Sequence, residues 1–132
     1  MRVFAGCLAG RRDWPLAPAD VVAAPRLKAT LSHLELVVVE VREHEFRPRF
    51  LCRVAHQASH APFQGFNRAQ AAVIEGAVLI SRLHLLPRAE VETELARLDL
   101  TVGKTAGPAE AEAWSWLKDK AAQIFAAGAS EN

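Results

Sequence analysis

The chain has 132 residues and a net charge of +1, with 51% hydrophobic and 23% charged residues, which is typical of one folded domain with a substantial core. The near-neutral charge argues against nucleic acid or an anionic membrane as a partner, and no apolar run reaches the roughly 18–20 residues of a membrane-spanning helix. No secretory leader is visible, and two cysteines cannot build a disulfide framework, so we expect a cytoplasmic protein with small buried thiols.

The first half of the chain is predicted to be β-structure. Residues 2–8, RVFAGCL, are a short apolar run typical of a strand, and a loop rich in proline and charge follows. Residues 33–42 are rich in β-branched side chains, and residues 46–56 alternate between Phe50, Cys52 and Val54 on one face and arginines on the other. The two runs predict an antiparallel hairpin, in which a proline at position 48 suggests an edge strand.

The second half has a helical period. Helices are predicted at about 67–84, 88–103 and 108–126, followed by a polar, frayed tail at 128–132. Strands followed by helices indicate the α+β class. We therefore expect one structural domain, in which residues 1–62 hold the strands and residues 63–132 form a three-helix segment packed on them.

The first of these helices is apolar on nearly every side, yet it has charges at intervals of seven residues. Arg68, Glu75 and Arg82 lie within roughly 20° of one line along the helix. Three explanations remain open: a solvated face, ion pairs that fasten the helix to another element or subunit, or contact with an anionic ligand. Asn67 is a candidate helix cap and, alternatively, a ligand contact.

Two loops offer further candidate binding residues. GRRDWP contains Arg11, Arg12 and Trp14, and a flavin ring can stack on tryptophan while its phosphate meets arginine; a surface loop anchored by Trp14 is the alternative. Lys104 and Thr105, before the last helix, could bind an anion or simply serve as helix-end residues.

Metal binding and catalysis have no clear signal in the sequence. His56 and His60 are four residues apart and Cys52 lies four before, but on a strand and a loop these side chains should not converge, so no metal site is predicted. The arginines of residues 46–56 indicate a charged edge strand rather than a nucleic-acid surface. No catalytic triad or carboxylate pair is evident, which leaves open whether the chain is an enzyme.

Three segments carry a family resemblance: MRVFAGCLAGRRDWP, PFQGFNRAQAAVIEGAVLISRLHLLP and KTAGPAEAEAWSWL. They resemble the C-terminal part of the domain of unknown function 447 family, and the most specific piece is the FNRA helix followed by the KTAG break. The resemblance implies a partial antiparallel split β-barrel of the flavin-reductase type, FMN as cofactor, and pairing as a homodimer. It also implies an oxidoreductase linked to methanopterin-type one-carbon chemistry.

The same resemblance implies earlier strands that hold the flavin phosphate. Since no counterpart of these strands precedes residue 2, we expect a misassigned start, a truncated barrel that binds FMN poorly alone, or a second chain that supplies the strands. The alternative function is a non-catalytic interaction or dimerisation module that completes its sheet with a second chain.

Overall fold

The structure is a computed structural model that describes residues 1–129, so the end of the predicted polar tail lies outside the described residues. The chain divides into two compact units. The helical unit combines Met1–Asp13 with the chain from Gly65 onwards, and the sheet unit is Trp14–Gln64. No helix within residues 1–129 is long and apolar enough to cross a membrane.

The helical unit contains four α-helices. These are α1 (Arg2–Leu8), α2 (Arg68–Ser81), α3 (Arg88–Thr105) and α4 (Pro108–Ala129), with a short 3₁₀ turn at Leu83–Leu85 after α2. The helices predicted at about 67–84, 88–103 and 108–126 correspond to α2, α3 and α4, and with α1 the count among residues 1–129 is four rather than three.

The prediction of a strand at residues 2–8 is wrong, because this segment is α1. Ala5 and Gly6 are buried, and α1 contacts both α2 and α4. The Arg2 guanidinium donates to the Glu112 carboxylate of α4 at 2.7 Å. A short apolar run has too few residues to separate a strand from a helix by period, and here tertiary packing selects the helix.

Helix α2, like α4, contacts each of the other three helices of the helical unit. Its small residues Ala72, Gly76 and Ala77 are buried and allow close approach of the neighbouring backbones. Side chains from all four helices form the core around it: Ala5, Ala72, Val73, Ala77, Ile80, Leu83, Val91, Leu98, Val102, Ala113, Trp114, Leu117 and Ala121. The apolar character of α2 on most sides is thus explained by burial.

The sheet unit contains two antiparallel hairpins. Strand β1 (Leu16–Pro18) pairs with β2 (Pro25–Leu27), and β3 (Ser32–Arg42) pairs with β4 (Arg49–Ser59). The predicted long hairpin is confirmed, although β4 begins at Arg49, which leaves Pro48 in the turn. The register shifts between Glu35 and Leu36 and again between Val38 and Glu40, so each strand has one extra residue.

One face of the β3–β4 hairpin is an apolar row. Cross-strand pairs on this face join Leu36 to Val54, Val38 to Cys52 and Val41 to Phe50. All six side chains are exposed. The expectation of buried thiols is therefore wrong for Cys52, because the face on which it lies is open, and Cys7 is only partly buried.

The fold class is α+β, as predicted, with two small antiparallel sheets and four helices among residues 1–129. The sheets have two strands each rather than the several strands of a barrel. The split barrel therefore stays a prediction.

Candidate functional site

A polar cluster lies on the face of the β3–β4 hairpin opposite to the apolar row. We use the name polar cluster for Asp20, His33, Glu35 and His56, whose potential ligand atoms lie within 4.8 Å of one another. Glu35 and His56 face each other across the strand pair. His33 is two residues before Glu35 and so shares its face, and Asp20 comes from the loop between β1 and β2.

Glu35 anchors this arrangement. Its side chain is only 1% exposed, and its carboxylate accepts hydrogen bonds from the backbone N–H groups of Asp20, Val21 and Val22 at 2.6, 2.7 and 2.8 Å. Burial alone would raise the pKa of Glu35, but the backbone N–H groups and His33 outweigh it and lower this pKa to about 2. Glu35 is therefore a carboxylate, and it holds the 19–24 loop against β3.

His33 connects the members of the cluster. Its Nε2 lies 3.0 Å from Glu35 Oε1 and 3.5 Å from Asp20 Oδ2. Its Nδ1 lies 2.9 Å from Nε2 of His60, which follows β4. The His56 Nε2 lies 3.6 Å from the same Asp20 oxygen. Two imidazoles and two carboxylates thus converge on one small volume.

The sequence analysis missed this cluster and predicted no metal site. It considered His56 and His60 with Cys52, but Cys52 lies on the opposite, apolar face of the hairpin. The available signal was the alternation that places His33 and Glu35 on one face of a strand. The contribution of Asp20 could not be predicted, because it depends on how the 19–24 loop folds over β3.

The charged stripe of α2 is exposed along its whole length, with Arg68, Glu75 and Arg82 all on the surface. Glu75 and Arg82 line a cleft of about 190 Å³ that also includes Glu94 and Arg97 of α3. The Arg97 guanidinium hydrogen-bonds Glu94, and this pairing, together with the Glu75 charge, raises the pKa of Arg97. The cleft therefore holds charges of both signs.

Asn67 and Thr105 come together where α2 begins and α3 ends. The Asn67 Oδ1 accepts from the Ala69 backbone N–H at 2.7 Å, which confirms its prediction as the helix cap. Its Nδ2 donates to the Thr105 carbonyl at 3.0 Å, and the Thr105 hydroxyl donates to the Thr101 carbonyl. Lys104 is exposed in the last turn of α3.

The GRRDWP residues are divided between the two units. The Arg11 guanidinium lies 4.1 Å from the ring centroid of Trp116 and lines a cleft of about 120 Å³ on α4. Arg12 is exposed. Trp14 is partly buried and is the first residue of the sheet unit.

These positions do not form one FMN site within either unit. The predicted flavin contacts are divided among the Arg11 cleft, the Asn67–Thr105 junction and the Glu75–Arg82 cleft. A larger cleft of about 340 Å³ lies between α3 and α4, but it is lined by none of the predicted residues. Sites for drug-sized ligands are roughly 300–1,000 Å³ with converging polar groups, and the clefts that contain predicted contacts are smaller.

Comparison with known protein families gives a match to part of the helical unit. Residues 67–119 match the family model described as protein of unknown function (DUF447), C-terminal part. No curated protein matched the chain.

A solved structure shares the fold. The crystal structure of the FMN-bound protein MM1853 from Methanosarcina mazei, with family model DUF447, superposes with a TM-score of 0.69 at 16% sequence identity. The match covers 80% of this chain and 58% of that chain, so this chain spans a little over half the length of its structural neighbour. The family match therefore covers residues 67–119, which are similar to the C-terminal part of the DUF447 family.

Proposed function

We propose that this chain is the C-terminal portion of an FMN-binding assembly, in which the β3–β4 hairpin joins further β-strands to complete a sheet. The observation that carries this proposal is the exposed apolar row of the hairpin. Leu36, Val38, Val41, Phe50 and Val54 present a continuous apolar surface on two strands.

A surface of this kind needs a cover. An isolated two-stranded hairpin is marginally stable in water. Because β3 and β4 pair only with each other, the outer edge of each strand has backbone N–H and C=O groups without a partner strand. Contiguous exposed apolar patches mark protein–protein contacts, and an exposed strand edge accepts an added strand. Additional strands would bury the row and satisfy both edges at once.

FMN enters the proposal through the structural neighbour, which is FMN-bound and longer than this chain. Because the predicted flavin contacts of this chain do not converge within a unit, the flavin site would be completed by residues on the added strands. Oxidoreductase activity linked to methanopterin-type one-carbon metabolism is the finer form of this proposal, and it is supported by the family resemblance alone.

Two neighbouring valines provide a matched test. Val38 is 52% exposed on the apolar row, whereas Val37 is 39% exposed on the opposite face, across from Arg53. We expect Val38→Glu to abolish assembly and Val37→Glu to leave it intact, because a glutamate opposite an arginine is tolerated on a strand pair. Light scattering of the purified chain measures the mass against 14.4 kDa for one chain.

Flavin binding is measured on the same samples. The purified parent chain should show the visible absorption band of flavin, or quench FMN fluorescence on titration. Loss of this signal together with assembly in Val38→Glu supports the flavin proposal. A parent chain that stays monomeric at high micromolar concentration contradicts sheet completion.

The second candidate function is a non-catalytic interaction or dimerisation module, with a homodimer as the simplest form. The same apolar row supports it, since a second copy could supply the covering strands. A colourless dimer that does not quench FMN fluorescence, and that Val38→Glu dissociates, selects this function over the flavin proposal.

A further inference from the structure

We propose that the polar cluster is a binding site for a divalent transition-metal ion of the zinc type, which fastens the 19–24 loop to the β3–β4 hairpin. The proposal is independent of sheet completion and of flavin binding, because all four ligands lie within the sheet unit on the face opposite to the apolar row.

The spacing of the ligand atoms fits a tetrahedral ion. Ligands at about 2.0–2.1 Å from a tetrahedral Zn²⁺ lie about 3.3–3.4 Å from one another. The separations here are 3.0 Å between His33 and Glu35, 3.5 Å between His33 and Asp20, and 3.6 Å between His56 and Asp20. These three separations are within a few tenths of an ångström of the tetrahedral value, and the other three, all within 4.8 Å, would adjust as the side chains close on the ion.

The donor set selects the class of metal. Two imidazole nitrogens and two carboxylate oxygens suit Zn²⁺, Co²⁺ or Fe²⁺, whereas Ca²⁺ and Mg²⁺ prefer six or more oxygen ligands. With four protein ligands around one ion, no position remains open for a substrate, which is typical of a structural rather than a catalytic site.

The surroundings of His33 also match those of a metal ligand. A ligating histidine normally uses its second ring nitrogen to hydrogen-bond an outer partner, which fixes the ring. The His33 side chain is only 7% exposed, and its Nδ1 lies 2.9 Å from His60 Nε2. With a metal on Nε2, the Nδ1–H of His33 would donate to His60. The other oxygen of Glu35 is likewise fixed by the Val21 and Val22 N–H groups.

The anchoring role follows from where the ligands originate. The Glu35 carboxylate already holds the loop by accepting hydrogen bonds from the loop's backbone N–H groups, and the metal would add the Asp20 side chain as a second attachment. His56 would bring β4 into the same link. The ion would thus connect one loop and two strands, next to a register shift where the strand pairing is irregular.

The test uses the full chain without a histidine tag, freed of metal by a chelator. Zn²⁺ is titrated in competition with a chromophoric chelator, and Co²⁺ is used as a visible probe. We expect one ion per chain, displacement of Co²⁺ by Zn²⁺, no displacement by Mg²⁺ or Ca²⁺, and a higher melting temperature with Zn²⁺ because the ion binds the folded chain.

Histidine variants locate the site. His56→Gln and Asp20→Asn change side chains that are 36% and 56% exposed, so both variants should fold, which circular dichroism verifies, and both should lose the tight site. His60→Gln should weaken binding about 10–100-fold, as expected for an outer partner. His44→Gln and His84→Gln, the two histidines away from the cluster, are the controls and should bind like the parent.

The proposal is overturned if neither Zn²⁺ nor Co²⁺ binds stoichiometrically to the parent chain. It is also overturned if His56→Gln and Asp20→Asn bind Zn²⁺ as tightly as the parent, or if His44→Gln weakens binding as much as they do.

Discussion

Gly76 of α2 lies directly against the indole ring of Trp114 of α4, so closely that a β-carbon at position 76 would overlap Cζ3 and stand 3.2 Å from Cη2. Trp114 is itself buried, at the junction of α2, α3 and α4. The glycine is therefore required by the approach of the ring and not by the backbone, which is helical there. This relationship explains why the middle of α2 is built from small residues.

We expect Gly76→Ala to destabilise the protein even though alanine favours helices, because the methyl group would displace a large buried ring. Overpacking of a core costs about 1–3 kcal/mol, and Gly76→Leu should cost more than Gly76→Ala. Urea unfolding gives the free energy of unfolding.

Gly103 provides the control, since a β-carbon there meets nothing within 4 Å and the residue also lies in a helix. Gly103→Ala should be neutral or stabilising by up to about 1 kcal/mol. Equal effects at the two positions would mean that the Trp114 ring does not fill the space above Gly76.

Removing a charge from the stripe of α2 should have little effect on the free energy of unfolding. Because Glu75 is exposed and the cleft beside it is open to solvent, we expect Glu75→Gln to change the free energy of unfolding by no more than about 1 kcal/mol. Glu110 is the contrasting carboxylate: it is buried and accepts from Gln70 Nε2 and the Gly107 N–H. Glu110→Ala should cost about 1–3 kcal/mol, since it leaves both donors unsatisfied.

Urea unfolding of both variants checks the pair. A loss at Glu75→Gln equal to that at Glu110→Ala would show that the stripe has partners of its own, such as a second chain. The mass of each variant, measured by light scattering, separates that case from a change within one chain.

The helices of the second half could be predicted because their signals are local. Asn67 caps α2 through the next residues of its own helix, and the period of α3 and α4 continues over many turns. Helix α1 could not be predicted in this way. Apart from Arg2 its residues are apolar without a clear period, and its helical state depends on contacts with α2 and α4, which begin 60 and 100 residues after α1 ends.

The polar cluster could be predicted only in part, because strand alternation places His33 and Glu35 on one face but does not bring in His56 or Asp20. Its strand residues come together only with the observed register, which contains two shifts, and its loop residue arrives through hydrogen bonds to Glu35. A displacement of one residue in the register would turn His56 to the other face of the hairpin. The predicted flavin contacts had a different difficulty. Each residue was a plausible ligand contact in its local sequence, but the sequence did not show whether these residues lie close together in the fold.

The Asn67 side chain has two roles, since it caps α2 and also donates to the Thr105 carbonyl of α3, and two substitutions separate them. Asn67→Ala removes both the acceptor for the Ala69 N–H and the donor to the Thr105 carbonyl, and we expect a loss of about 0.5–2 kcal/mol. Asn67→Asp keeps the acceptor and removes only the donor, so it should retain most of the stability. If chemical denaturation shows that the aspartate variant is as unstable as the alanine variant, the link to α3 outweighs the cap.

The link between α3 and α4 predicts a dependence of stability on pH. Asp99 Oδ1 accepts from the Trp114 indole N–H at 2.6 Å and from the Lys118 ammonium at 3.0 Å. The hydrogen bond from Trp114, and then that from Lys118, lower the pKa of Asp99 below its ordinary value of 3.8. Both donors favour the ionised carboxylate.

The sign of the effect follows from linkage. Because the pKa of Asp99 is lower in the folded chain than in the unfolded chain, its contribution to stability is complete above the ordinary aspartate pKa of 3.8 and is lost as the pH falls below that value toward the lower folded pKa. The side chain is half exposed, so solvent screening keeps this contribution small. We expect Asp99→Asn to be less stable than the parent near neutral pH, with the difference narrowing in acid.

Urea midpoints of the parent and of Asp99→Asn, measured from neutral pH into the acid range, check this prediction. Lys118→Gln serves as the comparison and should reduce the acid-dependent difference only in part, because the Trp114 hydrogen bond remains. A difference between the parent and Asp99→Asn that stays constant across the whole acid range would show that Asp99 contributes through the shape of its side chain, since a contribution from its charge must disappear once the carboxylate is protonated.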